Sequence, residues 1–283
     1  MNLTFPRRAP DASKRDFGHL LVLGGATGMA GAPTLAARAA LRAGVGLCTV
    51  GAPKSLQPIL AAKLTEAMTL GLRETQIGSL AWPAVNEILD YAGRRRIAAV
   101  ALGPGLTTHQ GTVAFVRQFI PVCPSPLVLD ADGLNALKGQ VSVLKNAISP
   151  VILTPHLAEM RRLTGKTAGA ITRNREGEAK AFAATYRVIC LLKGHRTVVS
   201  DGTRVYVNKT GNPGMASGGM GDVLTGVIGA LLAQGRDPYE AACLGAYVHG
   251  LAGDLAARQL GQWGMMASDV IDRLPLAIRR ITR

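Results

Sequence analysis

The chain has 283 residues, 48% of them hydrophobic but only 4% aromatic, and a formal net charge of +14. This length suits one α/β domain with a large core, and the dominance of Ala, Gly, Leu and Val suits close helix–sheet packing. The charge invites a nucleic-acid partner. However, the basic residues come in small groups (Arg7-Arg8, Arg94-Arg95-Arg96, Arg161-Arg162, Arg279-Arg280) with no interleaved aromatics and no reader motif, which points instead to a solvated basic surface able to steer a small anionic substrate.

Residues 1–17 are polar and read as an arm or partner-contacting tail; 18–283 read as one domain, with no linker and no repeat. His19–Leu23 is a short apolar run ended by Gly24-Gly25, a buried strand. Residues 31–43 are Ala-rich with a proline near the front, a helix signature. Val45–Val50 is a second strand, and 53–63 a short helix opened by Pro53. A helix over 79–92, a strand at Ile97–Leu102 and a helix at Gln110–Ile120 follow. Strands at Leu127–Asp130 and Val151–Thr154 precede helices at His156–Leu163 and Glu176–Tyr186. Val188–Leu192, Arg196–Ser200 and Arg204–Val207 are closely spaced strands, the last two a hairpin around Asp201-Gly202. Helices over about 220–234, 239–258 and 268–281 close the chain. This β–α alternation predicts a mainly parallel sheet with helices on both faces, an α/β/α sandwich.

In such sheets ligands sit beyond the carboxyl ends of the strands. Gly24-Gly25, Gly103-Pro104-Gly105, Asp130-Ala-Asp132, Thr154-Pro-His156 and Lys193-Gly194 all fall there, and together they point to one site. Asp130 and Asp132 could organise water, a magnesium ion or a substrate hydroxyl, although capping of the helix at Gly133-Leu134-Asn135 accounts for Asp132. His156 and Glu159 share one helical face; such a histidine is either structural or a ligand contact. Lys193–Thr197 is basic and could bind a nucleotide phosphate, or be a solvated turn. His19, His109, His195 and His249 lack metal-ligand spacing. No Walker sequence is present, and Gly24–Gly28 does not fit the dinucleotide fingerprint.

The most informative segment is Gly211–Asp222, with glycine at 211, 214, 218, 219 and 221, running into the apolar stretch Val223–Leu232. A loop with so little side-chain bulk lets a ligand approach the backbone, and the helix start offers unpaired N–H groups to a phosphate. Asp222 at the junction is either an N-cap or the acid that takes a hydroxyl proton during phosphoryl transfer.

Taken together, Gly18–Gly25, Gly31-Ala-Pro33, Ala39–Gly46, Gly103–Leu106, Leu129–Leu137, Leu153–His156 with Glu159, Leu192-Lys-Gly194 and Gly211–Leu224 occur in an order that resembles the ADP- or ATP-dependent NAD(P)H-hydrate dehydratases of the ribokinase-like superfamily. The resemblance runs from about residue 14 to the end. It implies a repair reaction on the S-epimer of hydrated NADH or NADPH, in which ADP (ATP is possible), with Mg2+, phosphorylates the ring hydroxyl. Phosphate then leaves, giving NAD(P)H, AMP and phosphate. By the same resemblance Lys193, Gly194, His195, Arg196, Thr197 and Gly221 fall at nucleotide-binding positions. Gly105, His156 and Asp222 fall at hydrated-dinucleotide positions, joined by an alanine of the Ala39-Ala40 pair, Ala39 by preference. Asp222 would be the catalytic base. Met220 departs from the family pattern, where a small or hydroxyl residue is usual, but Gly221-Asp222 is intact. The epimerase domain often fused in bacteria is not in this chain, so a separate epimerase is the expected functional partner, and self-association to a tetramer or larger is expected.

The four cysteines, Cys48, Cys123, Cys190 and Cys243, are far apart and argue for a reducing compartment. The first residues hold no apolar leader run, and no segment has membrane-spanning length, so a cytoplasmic protein is expected. Two other functions remain readable: a small-molecule kinase of the same fold, which would accumulate a phosphorylated product, and a nucleic-acid binder, which would be salt-sensitive and would leave the Gly-Asp loop without a purpose.

Overall fold

The computed structural model describes residues 3–283 and contains one nine-stranded sheet. The strands are β1 (His19–Leu23), β2 (Leu47–Pro53), β3 (Met68–Leu72), β4 (Ala99–Leu102), β5 (Leu127–Leu129), β6 (Val151–Leu153), β7 (Ile189–Leu192), β8 (Val198–Ser200) and β9 (Val205–Val207). Their order is β3-β2-β1-β4-β5-β6-β7-β8-β9. Pairing is parallel from β3 through β7 and antiparallel for β7-β8 and β8-β9. The chain therefore winds outward from β1 to β3, returns, and winds the other way from β4. The reversal lies between β1 and β4, the position in such sheets where ligands sit beyond the carboxyl ends of the strands.

The helices are α1 (Gly31–Arg42), α2 (Gln57–Lys63), α3 (Ala84–Arg95), α4 (Gln110–Val122), α5 (Ala131–Asn135), α6 (Leu157–Thr164), α7 (Ala168–Arg173), α8 (Arg175–Tyr186), α9 (Met220–Ala233), α10 (Pro238–Leu260) and α11 (Ala267–Arg280). Side chains of a strand alternate between faces, and β1 shows how this makes two cores. Leu20 and Val22 enter a layer with α1, α9, α10 and α11, whereas Leu21 and Leu23 enter the opposite layer with α3, α4 and α8. All five β1 residues are buried, as expected of a central parallel strand.

The alternation, the hairpin and the three closing helices stand where the sequence places them. Met68–Leu72 is a strand that the pattern does not announce. It is a sheet edge whose side chains are mostly half-buried, so it carries no continuous apolar run. Helix α3 starts at 84 rather than 79: Pro83 is its N-cap, and the preceding residues are held extended by bridges of Ser79 to Ala26 and Leu80 to Glu74. Residues 3–17 pack on their own domain. Phe5 is buried, its N–H donates to the Ile281 carbonyl at 3.1 Å, and the Arg283 N–H returns a bond to its carbonyl at 3.0 Å. All four cysteines are free and buried. Among the described residues no helix is long and apolar enough to cross a membrane.

Helix α9 is buried along almost its whole length against α1, α10 and the sheet, and its seating fixes where its amino end points. Gly226 makes this possible, because a Cβ there would lie 2.0 Å from the Ala36 carbonyl oxygen of α1. We expect Gly226→Ala to push α1 and α9 apart and to cost about 1–3 kcal/mol, read as a lower denaturation midpoint. An unchanged midpoint would mean that the interface yields without cost.

Candidate active site

The loops after β1 and β4 touch at the reversal. The Gly25 N–H donates to the Pro104 carbonyl at 2.8 Å, and Gly103, at φ +134°, brings its backbone so close to Asp130 that a Cβ would lie 1.8 Å from the Asp130 carbonyl oxygen. Only glycine fits there. Gly105 opens the same loop toward the start of α1, with φ +66° and room for a Cβ only 2.9 Å from the Met29 carbonyl oxygen.

Asp130, at the end of β5, is fully buried and bound on both oxygens. Lys193, at the end of β7, donates to Oδ1 at 2.6 Å, and Thr225 of α9 donates to Oδ2 at 2.7 Å. Burial opposes its charge, but these partners prevail and hold its carboxyl below the ordinary range. Lys193 also lies 3.8 Å from Glu159 Oε2 and feels Asp222, so its ammonium is held above the usual value despite burial.

Asp222 and Glu159 are pushed the other way, each up to about 7, chiefly by burial and further by the Asp130 charge, with Lys193 pulling back. Asp222 sits in the first turn of α9. The N-cap of that helix is Gly219, at φ +86°, and no side chain caps it, so the capping reading of Asp222 does not hold. The backbone N–H groups of the first turn, Met220, Gly221 and Asp222, have no partner within the helix and face outward with the positive end of the dipole. Gly221 closes the cluster: a Cβ there would stand 3.3 Å from Lys193 Nζ and 3.4 Å from Asp130 Oδ2.

His156 is the N-cap of α6. Its Nδ1 accepts from the N–H groups of Ala158 at 3.0 Å and Glu159 at 3.3 Å, and Glu159 Oε2 accepts from the His156 N–H at 2.8 Å, a reciprocal capping box. An accepting Nδ1 places the ring proton on Nε2, 3.5 Å from Glu159 Oε1 and half-exposed. Burial and the nearby Lys193 and Arg162 charges lower its pKa, so the ring is neutral near pH 7 and offers a donor.

The segment 193–197 is a tight turn that is exposed at Gly194, His195 and Arg196 and partly buried at Lys193 and Thr197. Gly194 has φ +145° and Arg196 φ +54°, and Thr197 Oγ1 donates to the Gly194 carbonyl at 3.0 Å. Arg175, which nothing in the sequence singles out, clamps this turn. Its Nη2 donates to the carbonyls of Leu192 at 2.9 Å and Lys193 at 3.1 Å, and its Nη1 to that of His195. His195 and Arg196 project into solvent beyond it.

Lys193, Gly221, Asp222 and His156 are thus gathered around Asp130 and Glu159, with Gly105 and the 194–197 turn on adjoining strand-end loops. Ala39 is not brought there: it is fully buried just over two turns along α1, about 12 Å from that helix's start. Thr225 escapes sequence reading, although a hydroxyl three residues after Asp222 in an otherwise apolar helix was the available signal. Asp132 caps nothing alone; its Oδ2 accepts from Thr107 N–H at 2.9 Å and holds Thr107 at φ +71°. Among the described residues no three His, Cys, Asp or Glu side chains converge as a metal cage, and Asp130 is already saturated.

A carboxylate poised near neutrality can take a proton from a hydroxyl, and the helix-start amides beside it, with a half-buried lysine, can hold an anion such as a phosphate. The fold is ribokinase-like. A family model described as NAD(P)H-hydrate dehydratase matches residues 20–276, and the chain belongs to that family. It is 48% identical over 278 residues to a bifunctional NAD(P)H-hydrate repair enzyme of Moorella thermoacetica, covering 98% of this chain and 52% of that one. The chain thus spans about half the length of the bifunctional relatives. It is 37% identical to an ADP-dependent (S)-NAD(P)H-hydrate dehydratase of Neisseria meningitidis, covering 99% of this chain and 91% of that protein. The crystal structure of an ADP/ATP-dependent NAD(P)H-hydrate dehydratase from Bacillus subtilis, co-crystallised with ATP/Mg2+, matches with a TM-score of 0.82 at 29% identity, over 99% of this chain and 95% of that one.

Removing the cation should expose how far the cluster depends on it. Lys193→Met leaves the Asp130 charge buried and unpaired, so we expect about 3–5 kcal/mol lower stability in urea unfolding, largely restored in the double variant Lys193→Met/Asp130→Leu. Equal instability of the double variant would show that packing, not charge, is at stake.

Proposed function

We propose that this domain dehydrates the S-epimer of hydrated NADH or NADPH at the expense of ADP, releasing NAD(P)H, AMP and phosphate. The observation that carries the reading is Asp222: an acid held near neutrality by burial, at the uncapped start of a helix, beside Gly221 and the Lys193–Asp130 pair.

Hydroxide is a poor leaving group and phosphate a good one, so the enzyme gains by phosphorylating the ring hydroxyl first. Asp222 takes the hydroxyl proton as the oxygen attacks the terminal phosphorus of ADP, and AMP departs. The amides around Gly219–Gly221 stabilise the charge on the phosphoryl oxygens. Loss of phosphate from the ring carbon and of a proton from its neighbour restores the double bond. Lys193, Gly194, His195, Arg196, Thr197 and Gly221 are proposed to hold the nucleotide, and Gly105, His156 and Asp222 the hydrated dinucleotide. In this reading His156 donates through Nε2 rather than acting as a base, because Nδ1 is committed to its cap.

Magnesium would enter as the counter-ion of the nucleotide phosphates. ATP is an alternative phosphoryl donor. The R form of the substrate requires an epimerase activity, as a separate protein or a companion domain. A cytoplasmic location and self-association to a tetramer or larger complete the proposal; the exposed Leu260, Trp263 and Met266 support the latter.

Mixing the protein with Mg2+, ADP and chemically hydrated NADH should regenerate the near-ultraviolet absorbance of NADH, only with ADP and only up to the S-epimer fraction. Asp222→Asn should bind both ligands and lose about 10²–10⁴-fold in turnover. A stable phosphorylated product, or full activity of the variant, would refute the assignment. Because the base must be ionised and its pKa lies about 7, kcat/KM should fall as pH drops below about 7 and level off above it. A profile flat down to the ordinary carboxylate range would remove Asp222 from the base role.

A further inference from the structure

The Gly-rich loop is shaped by α10, along one face of that helix. At the loop's entry Asn208 Nδ2 donates to the Ala246 carbonyl at 3.1 Å, and Thr210 Oγ1 to that of Tyr247 at 2.8 Å. At its first turn Asp254 Oδ2 accepts from the Gly211 N–H and Oδ1 from Asn212 Nδ2, both at 3.0 Å. Asn212 Oδ1 accepts in turn from the Gly214 N–H at 3.0 Å. At its exit the His249 ring bonds the Met220 carbonyl, and its Nε2 is buried without a partner. Gly250 and Gly253 leave room for the loop. A Cβ at 250 would lie 2.3 Å from Thr210 Oγ1, and one at 253 would lie 2.2 Å from Met215 Sδ. Helical periodicity places 246, 249, 250, 253 and 254 on that face.

We propose that Asp254 is a positioning residue for nucleotide binding: by tying Gly211 and Asn212 to α10, it holds the Gly-rich loop in the one shape that presents the first amides of α9 to the phosphates. The inference rests on reading this loop as the anion cradle. Its physical basis is entropy. Glycines at 211, 214, 218 and 219 give the free loop many conformations, and the apparent affinity falls with the population of the competent one. A carboxylate receiving a backbone N–H and a side-chain amide is a strong anchor for such a segment. Asp254 has no place in the chemistry itself; the acids that act on Lys193 are Asp130, Glu159 and Asp222.

The test uses the full chain with Asp254→Asn and Asp254→Ala. ADP affinity is read by titration calorimetry, loop order by hydrogen exchange at amides 211–221, and the KM for hydrated NADH alongside. We expect ADP binding to weaken about 10–100-fold in the alanine variant and by less in the asparagine variant, which keeps one acceptor. Exchange in the loop should quicken, while the thermal midpoint and the KM for hydrated NADH stay at wild-type values. Unchanged ADP affinity, or affinities for both ligands that fall together with the thermal midpoint, would overturn the proposal, as would wild-type protein that binds no ADP. Wild-type protein that binds ADP without dehydrating hydrated NADH would defeat the proposed reaction alone, since affinity and exchange still decide the role of Asp254.

Discussion

Lys193 and Asp130 stand 63 residues apart in the chain and 2.6 Å apart in the structure, and the site is arranged around that contact. It joins the ends of β7 and β5. Thr225 on the second oxygen of Asp130 ties in α9, and Glu159 near the ammonium ties in α6. Four elements are thereby located relative to one buried charge pair. A pair in such a place is weak evidence for stability, because desolvating both ions offsets much of their attraction. Its value here is geometric: removing either ion leaves the other uncompensated, so the four elements cannot drift independently.

The same pair divides the acids into two kinds. Asp130 is buried but bonded on both oxygens, and its partners hold it below the ordinary carboxylate range. Asp222, partly buried, and Glu159, buried, are compensated less fully by Lys193, lie close to the Asp130 charge, and rest near neutrality. Burial, reinforced by the one negative charge held in place, thus raises its neighbours to the range where an acid can both accept and release a proton. His156 is excluded from that role by its cap rather than by its pKa, since its basic nitrogen already accepts two backbone bonds.

A helix start contributes only about 0.3–1 kcal/mol per anion at an exposed site and up to about 2 when partly buried. A cradle for a transferring phosphoryl group must therefore add several amides and a cation in a fixed array, which explains why so much of the structure serves rigidity. Gly226 lets α9 seat against α1, Arg175 clamps the 193–197 turn through three carbonyls, and α10 shapes the loop before α9. The Gly-rich loop is made of the most flexible residue type, and neighbours on α10 hold its first turn through hydrogen bonds.

Periodicity and glycine placement were enough to read the alternation of strands and helices, the hairpin at the sheet's edge and the glycine-rich strand ends, because each depends on a few adjacent residues. They also singled out Gly221, Asp222, Lys193 and His156. The edge strand Met68–Leu72 was not legible, since a half-exposed edge has no apolar run to betray it. Arg175, Thr225 and Asp254 were not legible either. Their contacts lie 17 to 95 positions away in the chain, and pairing at that range is set by how the helices stack on the sheet. Ala39 fits the family motif by sequence, but packing has buried it fully in the core. The sequence by itself determined which residue types stand at the strand ends. Only the tertiary structure decided which carboxylate is saturated and which are poised, because a pKa is set by burial and by charges that no local pattern brings together.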